Sequence, residues 1–113
     1  MENNYESALE SNQKAHAPRT QHELEMFLQA VHEHAHDIKG WKVNAATNAF
    51  EADLNLYAAD ALPPIYIMPK RGKAGPLRSV LDRVLRESTQ GFPCSASSIA
   101  EIWHLVDQSA AVR

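Results

Sequence analysis

The clearest pattern of apolar and polar positions in this chain lies between Phe50 and Leu56. Apolar and polar residues alternate strictly there, in the order Phe50, Glu51, Ala52, Asp53, Leu54, Asn55, Leu56. Because successive side chains of an extended chain point to opposite faces, this alternation predicts a β-strand with one buried face. Such a strand fits the middle of an antiparallel sheet whose buried face is covered by helices.

A stripe of apolar residues with helical spacing precedes this strand. Its members recur at steps of three and four residues: Leu24, Phe27, Leu28, Val31, Ala35 and Ile38. Thr20 and Glu23 form a capping box at the start, and Lys39 and Gly40 suit the end of a helix. The pattern therefore predicts a helix over residues 21–38.

Two further short strands are predicted, one on each side of the central strand. Residues 41–45 alternate between apolar and polar and lead into a turn at 46–48, which is typical of a β-hairpin with the strand that follows. The other strand comprises Ile65, Tyr66, Ile67 and Met68. Pro64 before it and Pro69 after it place this strand at a sheet edge, where a missing N–H is tolerated.

Two helices are predicted after the strands. Pro76 suits the first residue of the second helix, which ends near Ser88, before Gly91. Its apolar stripe consists of Leu77, Val80, Leu81, Val84 and Leu85. Ser98 and Glu101 form a capping box for the third helix. The core-facing residues of this helix are Ile99, Ile102, Trp103, Val106 and Ala110.

This order of elements predicts an α+β fold. The expected architecture is a three-stranded antiparallel meander sheet covered on one face by helices, in the order α-β-β-β-α-α. A chain of 113 residues that is 44% hydrophobic fits one domain with its own core. The polar composition of residues 1–18 predicts a flexible N-terminal tail, and residues 19–113 are predicted to form the single α+β domain.

Cysteine content and hydropathy indicate a compartment. Cys94 is the single cysteine of the sequence, so no internal disulfide is expected. No apolar run approaches the roughly 20 residues that span a bilayer, and the first residues lack a signal-peptide pattern. We therefore expect a cytoplasmic protein without membrane contact.

Cys94 also precedes a predicted helix start, where a thiol pKa can be lowered, so a reactive thiol is an alternative.

Positive charge is concentrated in one segment. Residues 70–86 have a net charge of +5, whereas the whole chain carries −3, so the remainder carries −8. The basic residues are Lys70, Arg71, Lys73, Arg78, Arg83 and Arg86. Such a segment binds an anionic partner or is neutralised by acidic residues of the same chain.

The sequence from His32 to His36 matches the H-E-x-x-H pattern of zinc proteases. Two histidines one helical turn apart can hold zinc while Glu33 activates a bound water. A third ligand is not specified by the sequence, and histidines beside an apolar stripe are commonly partly buried helix residues. We expect no catalytic residue, cofactor or metal, and we keep zinc held by His32 and His36 as the alternative.

The absence of a convincing catalytic set favours a small non-enzymatic binding or regulatory protein, such as an inhibitor, that acts by protein–protein interaction. The basic segment would supply an anion-binding surface, and the predicted edge strand could pair with another chain. A homodimer is the simplest form of this hypothesis. The alternatives are a nucleic-acid-binding domain that uses the basic segment on phosphates and a zinc-dependent hydrolase. The aromatic content of 7% and the overall acidity count against nucleic acid.

Overall fold

The computed structural model describes residues 17–55 and 66–109. Its elements in chain order are α1 (Gln21–Glu33), a 3-10 helix (Ala35–Asp37), β1 (Ile38–Val43), β2 (Phe50–Leu54), β3 (Tyr66–Ile67), α2 (Ala74–Thr89) and α3 (Ala96–Leu105). The three strands pair antiparallel in the order β1-β2-β3. The predicted α+β class and the order α-β-β-β-α-α are therefore confirmed.

Strand β2 lies at the centre of this sheet, as its alternating pattern predicted. Phe50 pairs with Val43 on β1 and with Ile67 on β3. The turn between β1 and β2 is closed by the Asn48 amide, which donates to the Asn44 carbonyl over 2.7 Å. Asn48 has a φ of 60°, a left-handed conformation that asparagine tolerates better than most residues. The predicted hairpin is thus present.

The first helix is shorter than its apolar stripe predicted. It ends at Glu33, and Ile38, the predicted last residue of the helix, is the first residue of β1 and pairs with Leu54. Ala35 and Ile38 are both buried. Because both are apolar and reach the core from a 3-10 turn and a strand, their three-residue spacing imitated a helix. Gly40, predicted to stop that helix, lies beside a β-bulge.

The core lies between the sheet and the helices. Trp41, Phe50 and Ile67 on the three strands are buried in one cluster with apolar residues of all three helices, including Leu28, Leu81 and Ile102. Lys42, beside Trp41 in the strand, is exposed. The stripe predicted for the second helix is buried throughout. Helices thus cover one face of the sheet.

Two helix starts differ from the prediction. Helix α2 begins at Ala74, so Pro76 is its third residue; a proline is tolerated there because the first N–H groups of a helix have no partner within the helix. Helix α3 is capped by Ser95, whose hydroxyl accepts from the Ser98 amide over 3.2 Å. Ser98 itself is inside the helix and buried. The predicted cap at Ser98 is therefore wrong by three residues.

The third strand is continued by a contact with the segment after α3. The Asp107 amide donates to the Met68 carbonyl over 2.7 Å, and the Lys70 amide donates to the Leu105 carbonyl over 2.8 Å. Pro69 and Val106 form an antiparallel bridge between these two bonds. The chain entering α2 is thereby fixed to the end of α3.

Some predictions fall on residues outside the described ranges. These are most of the proposed tail, residues 1–16, together with Leu56, Ile65 and Ala110. The last two residues of the proposed tail, Ala17 and Pro18, are buried. The boundary between the tail and the domain at residue 18 stays a prediction.

Among the described residues, none of the helices combines the length and the hydrophobicity needed to cross a bilayer.

Candidate functional site

Three of the six predicted basic residues lie together in one turn. We call Lys70, Arg71, Gly72 and Lys73 the basic turn. It is closed by a hydrogen bond of 2.9 Å from the Lys73 amide to the Lys70 carbonyl, and Gly72 adopts a φ of 79°. A turn with positive φ at its third position favours glycine. Lys70, Arg71 and Lys73 are all exposed, so their cations project from a defined backbone.

Arg78, on the first half of α2, contacts the sheet instead. Its Nη2 donates to the Trp41 carbonyl over 3.3 Å, and its guanidinium carbon lies 5.9 Å from the centre of the Phe50 ring. Its Nε is also 3.9 Å from an Asp82 carboxylate oxygen. Arg78 therefore covers the edge of the core and is partly neutralised by its own helix.

Arg83 is engaged by α3. Its Nη2 is 2.9 Å from the Glu101 carboxylate and 3.2 Å from the Ser98 hydroxyl. The hydrogen bond with Glu101 raises the pKa of the Arg83 guanidinium above its ordinary value. This contact joins α2 to α3, so the Arg83 charge is already paired.

Arg86 is separated from the basic turn by the length of α2. It is exposed, but it lies 13 positions after Lys73, which corresponds to about 20 Å along the helix axis. The basic segment is therefore not one continuous surface. The structure groups Lys70, Arg71 and Lys73 and places the three remaining arginines elsewhere.

Fewer groups of the predicted partner edge are available for pairing with another chain than the sequence implied. Of Ile65, Tyr66, Ile67 and Met68, the first lies outside the described residues, and Ile67 is fully buried. The Met68 carbonyl accepts from the Asp107 amide. This hydrogen bond already occupies the Met68 carbonyl within the protein. Pairing of this edge with another chain remains a prediction.

The histidine motif is divided between two elements. His32 and Glu33 are in the last turn of α1, whereas His36 is exposed in the 3-10 helix that follows. The two histidines therefore lack the continuous helical turn that the zinc hypothesis assumed. Within residues 17–55 and 66–109, no three histidine, cysteine, aspartate or glutamate side chains come together as potential metal ligands.

A cleft that the sequence did not reveal lies between α1 and the start of α3. We call it the α1–α3 cleft; its volume is about 240 Å³. It is lined by Glu25, Gln29, His32, Glu33, Pro93, Cys94 and Ile99. The four-residue spacing of Glu25, Gln29 and Glu33 places them along one side of a helix. The spacing of these three residues was the only sign of the cleft in the sequence. The opposite wall, which includes residues 93–94, is formed only by the packing of the folded chain.

The cleft also decides the chemistry of Cys94. Burial of the half-exposed thiol, together with the nearby charge of Glu87, raises its pKa to about 11. The sequence suggested the opposite alternative, a lowered pKa at a helix start. Ser95 occupies the cap position in the structure, and burial is the largest influence on the thiol. Cys94 is therefore a protonated thiol near neutral pH.

Comparison with family models, with curated proteins and with solved structures finds no match to this chain.

Proposed function

We propose that this protein is a small binding protein whose basic turn contacts an acidic segment of a protein partner. The observation that carries the proposal is the exposure of Lys70, Arg71 and Lys73 on one anchored turn. None of the ion pairs between described residues uses these three side chains. Their charges are therefore available to a carboxylate-rich partner at little cost in desolvation.

The anchoring of the turn supports a recognition role. The Lys70 amide donates a hydrogen bond to the Leu105 carbonyl, and the Lys73 amide donates one to the Lys70 carbonyl. Lys73 is also fixed by its position directly before α2. A turn whose backbone is already ordered loses less conformational entropy on binding than a mobile loop does. Three cations on such a turn match a short acidic stretch of protein.

The positions of the six basic residues favour a protein partner over a nucleic-acid partner. A DNA-binding protein that makes about 6–10 contacts with phosphates uses lysine and arginine side chains for them. Here two of the six basic residues, Arg78 and Arg83, are engaged with the protein's own groups, and Arg86 is about 20 Å from the turn. The net charge of −3 further opposes approach to a polyanion.

The test uses two variants with the same loss of charge. Lys70→Ala/Arg71→Ala/Lys73→Ala removes the turn cations, and Lys39→Ala/Lys42→Ala/Arg86→Ala removes three exposed cations elsewhere. Each variant is immobilised and exposed to host lysate treated with nuclease, and retained proteins are identified by mass spectrometry. We expect one dominant protein with the wild type and the control variant, and its loss with the turn variant.

The salt dependence of partner retention is a second test, because exposed charge pairs weaken as ionic strength rises. We expect retention to fall several-fold between low and high salt, and light scattering to show whether the retained partner is a second copy of this chain. Equal retention by both triple variants would contradict the proposal. Retardation of nucleic acid by the wild type, lost in the turn variant, would replace the protein partner with nucleic acid.

A further inference from the structure

The α1–α3 cleft has two chemically different walls. Glu25, Gln29 and Glu33 follow one another at four-residue steps along α1, so the backbone positions of the two glutamates are about 12 Å apart along the helix axis. Pro93 and Ile99 form an apolar wall on the other side, with the Cys94 thiol between them. A ligand in this cleft therefore contacts carboxylates on one side and hydrocarbon on the other.

The charge of the cleft favours a cation. Two of its seven lining residues are acidic, and neither lysine nor arginine is among them. The thiol of Cys94 adds no negative charge near neutral pH, because its pKa is raised to about 11 by burial. An anionic ligand would meet Glu25 and Glu33 with no basic side chain in the lining other than His32, whereas an ammonium group would pair with either carboxylate.

The size of the cleft limits the ligand. Pockets for drug-sized molecules hold roughly 300–1,000 Å³, and this cleft holds about 240 Å³. Space of that size suits a short aliphatic chain. The apolar wall of Pro93 and Ile99 supplies contact for methylene groups, which gain free energy when they leave water.

We propose that the α1–α3 cleft binds a primary alkylammonium group, with the charge beside Glu25 or Glu33 and the methylene chain against Pro93 and Ile99. Two sources have this chemistry, a free aliphatic amine and the lysine side chain of another protein. The site does not include the basic turn, so its failure would leave the proposed function untouched.

The expected affinity is modest because both carboxylates are exposed. Exposed ion pairs are weak, so most of the affinity comes from the methylene groups that leave water, and a monoamine should bind with a Kd on the order of 1–10 mM. A linear diamine long enough to reach both carboxylates should bind several-fold more tightly than a monoamine of the same length. This comparison tests whether the two acidic residues act together.

The experiment titrates the protein with three four-carbon probes and follows amide chemical shifts. We expect n-butylammonium to shift resonances of residues 25–33 and 93–99 at concentrations several-fold lower than 1-butanol or butyrate requires. Glu25→Gln/Glu33→Gln should weaken butylammonium binding several-fold, as expected for the loss of an exposed ion pair. Glu23→Gln/Asp53→Asn carries the same change in charge outside the cleft lining and should bind as the wild type does. Urea unfolding verifies that each variant is folded.

The two sources are separated with Nα-acetyl-lysine amide. Binding at least as tight as that of butylammonium would assign the cleft to a lysine side chain, and weaker binding would assign it to a free amine. The single cysteine gives an independent reading, since an occupied cleft should slow alkylation of Cys94 by a neutral reagent. The proposal is overturned by equal binding of the three probes, by unchanged binding in Glu25→Gln/Glu33→Gln, or by no shift at all.

Discussion

The indole Nε1 of Trp41 donates a hydrogen bond to the main-chain carbonyl of Leu81, 3.2 Å away. This bond joins β1 to the middle of α2 inside the core, where Trp41 is 4% exposed. Sheet and helix are thus connected by a polar contact as well as by apolar packing. The indole both fills volume and satisfies its own N–H, as buried tryptophans usually do.

Trp41→Phe should lower the free energy of unfolding by about 1–2 kcal/mol, because the bond to Leu81 and part of the buried area are lost. Trp41→Ala should cost about 3–5 kcal/mol, because it also leaves a cavity. Urea unfolding followed by circular dichroism measures both. The matched variant Trp103→Phe changes a partly buried tryptophan and should cost less than Trp41→Phe. An equal loss in the two Phe variants would contradict the role assigned to the bond.

The ion pair between Arg83 and Glu101 should contribute little to stability despite its short distance of 2.9 Å. Both side chains are more than one-third exposed, and water screens such pairs. A double-mutant cycle with Arg83→Ala and Glu101→Gln should give a coupling of about 0.2–1 kcal/mol that decreases in high salt. A coupling above about 2 kcal/mol that is independent of salt would show that the pair is desolvated.

Ser95 should be the residue that caps α3. Ser95→Ala should cost about 1 kcal/mol of unfolding free energy, because the Ser98 amide loses its acceptor. Ser79→Ala changes an exposed serine on α2 and is the control. Thermal or urea unfolding of the two variants checks the assignment. Equal stability of both variants would mean that the cap is not at Ser95.

Cys94 should react slowly at neutral pH. With a pKa of about 11, against 9.0 for an ordinary thiol, its thiolate fraction near pH 8 is about 100-fold lower than in the unfolded chain. Alkylation by a neutral reagent, followed by mass spectrometry, should accelerate about tenfold per pH unit until about pH 11. A rate that levels off near pH 9 would contradict the raised pKa.

The same shift has a consequence for stability. The folded state favours the neutral thiol, so this contribution is fully present below pH 9.0 and is lost as pH rises through about 11. Cys94→Ser removes it, and the variant should lose less stability than the wild type between these two pH values. Urea unfolding at pH 8 and at pH 10 makes the comparison. Identical pH dependence of the two proteins would refute the linkage.

Local patterns were sufficient for the elements whose signals lie within a few residues. The alternation from Phe50 to Leu54 identified the central strand, and Thr20 with Glu23 identified the start of α1, where the Thr20 hydroxyl accepts from the Glu23 amide over 3.0 Å. They failed at Ile38, because an apolar residue is buried equally well by a helix or a strand. The backbone partner that decides between them, Leu54, is 16 residues away.

The candidate sites depended more strongly on tertiary structure. The sequence identified six basic residues between 70 and 86, yet which of their charges is paired depends on Glu101, Ser98 and the Trp41 carbonyl, which belong to other elements. The α1–α3 cleft forms because residues 93–94 of the connector lie opposite residues of α1. Periodicity and capping are properties of neighbouring residues, so the sequence by itself determined the elements and their buried faces. The pairing of Arg83 with Glu101 and the α1–α3 cleft depend on residues that are distant in the chain, so only the tertiary structure decided them.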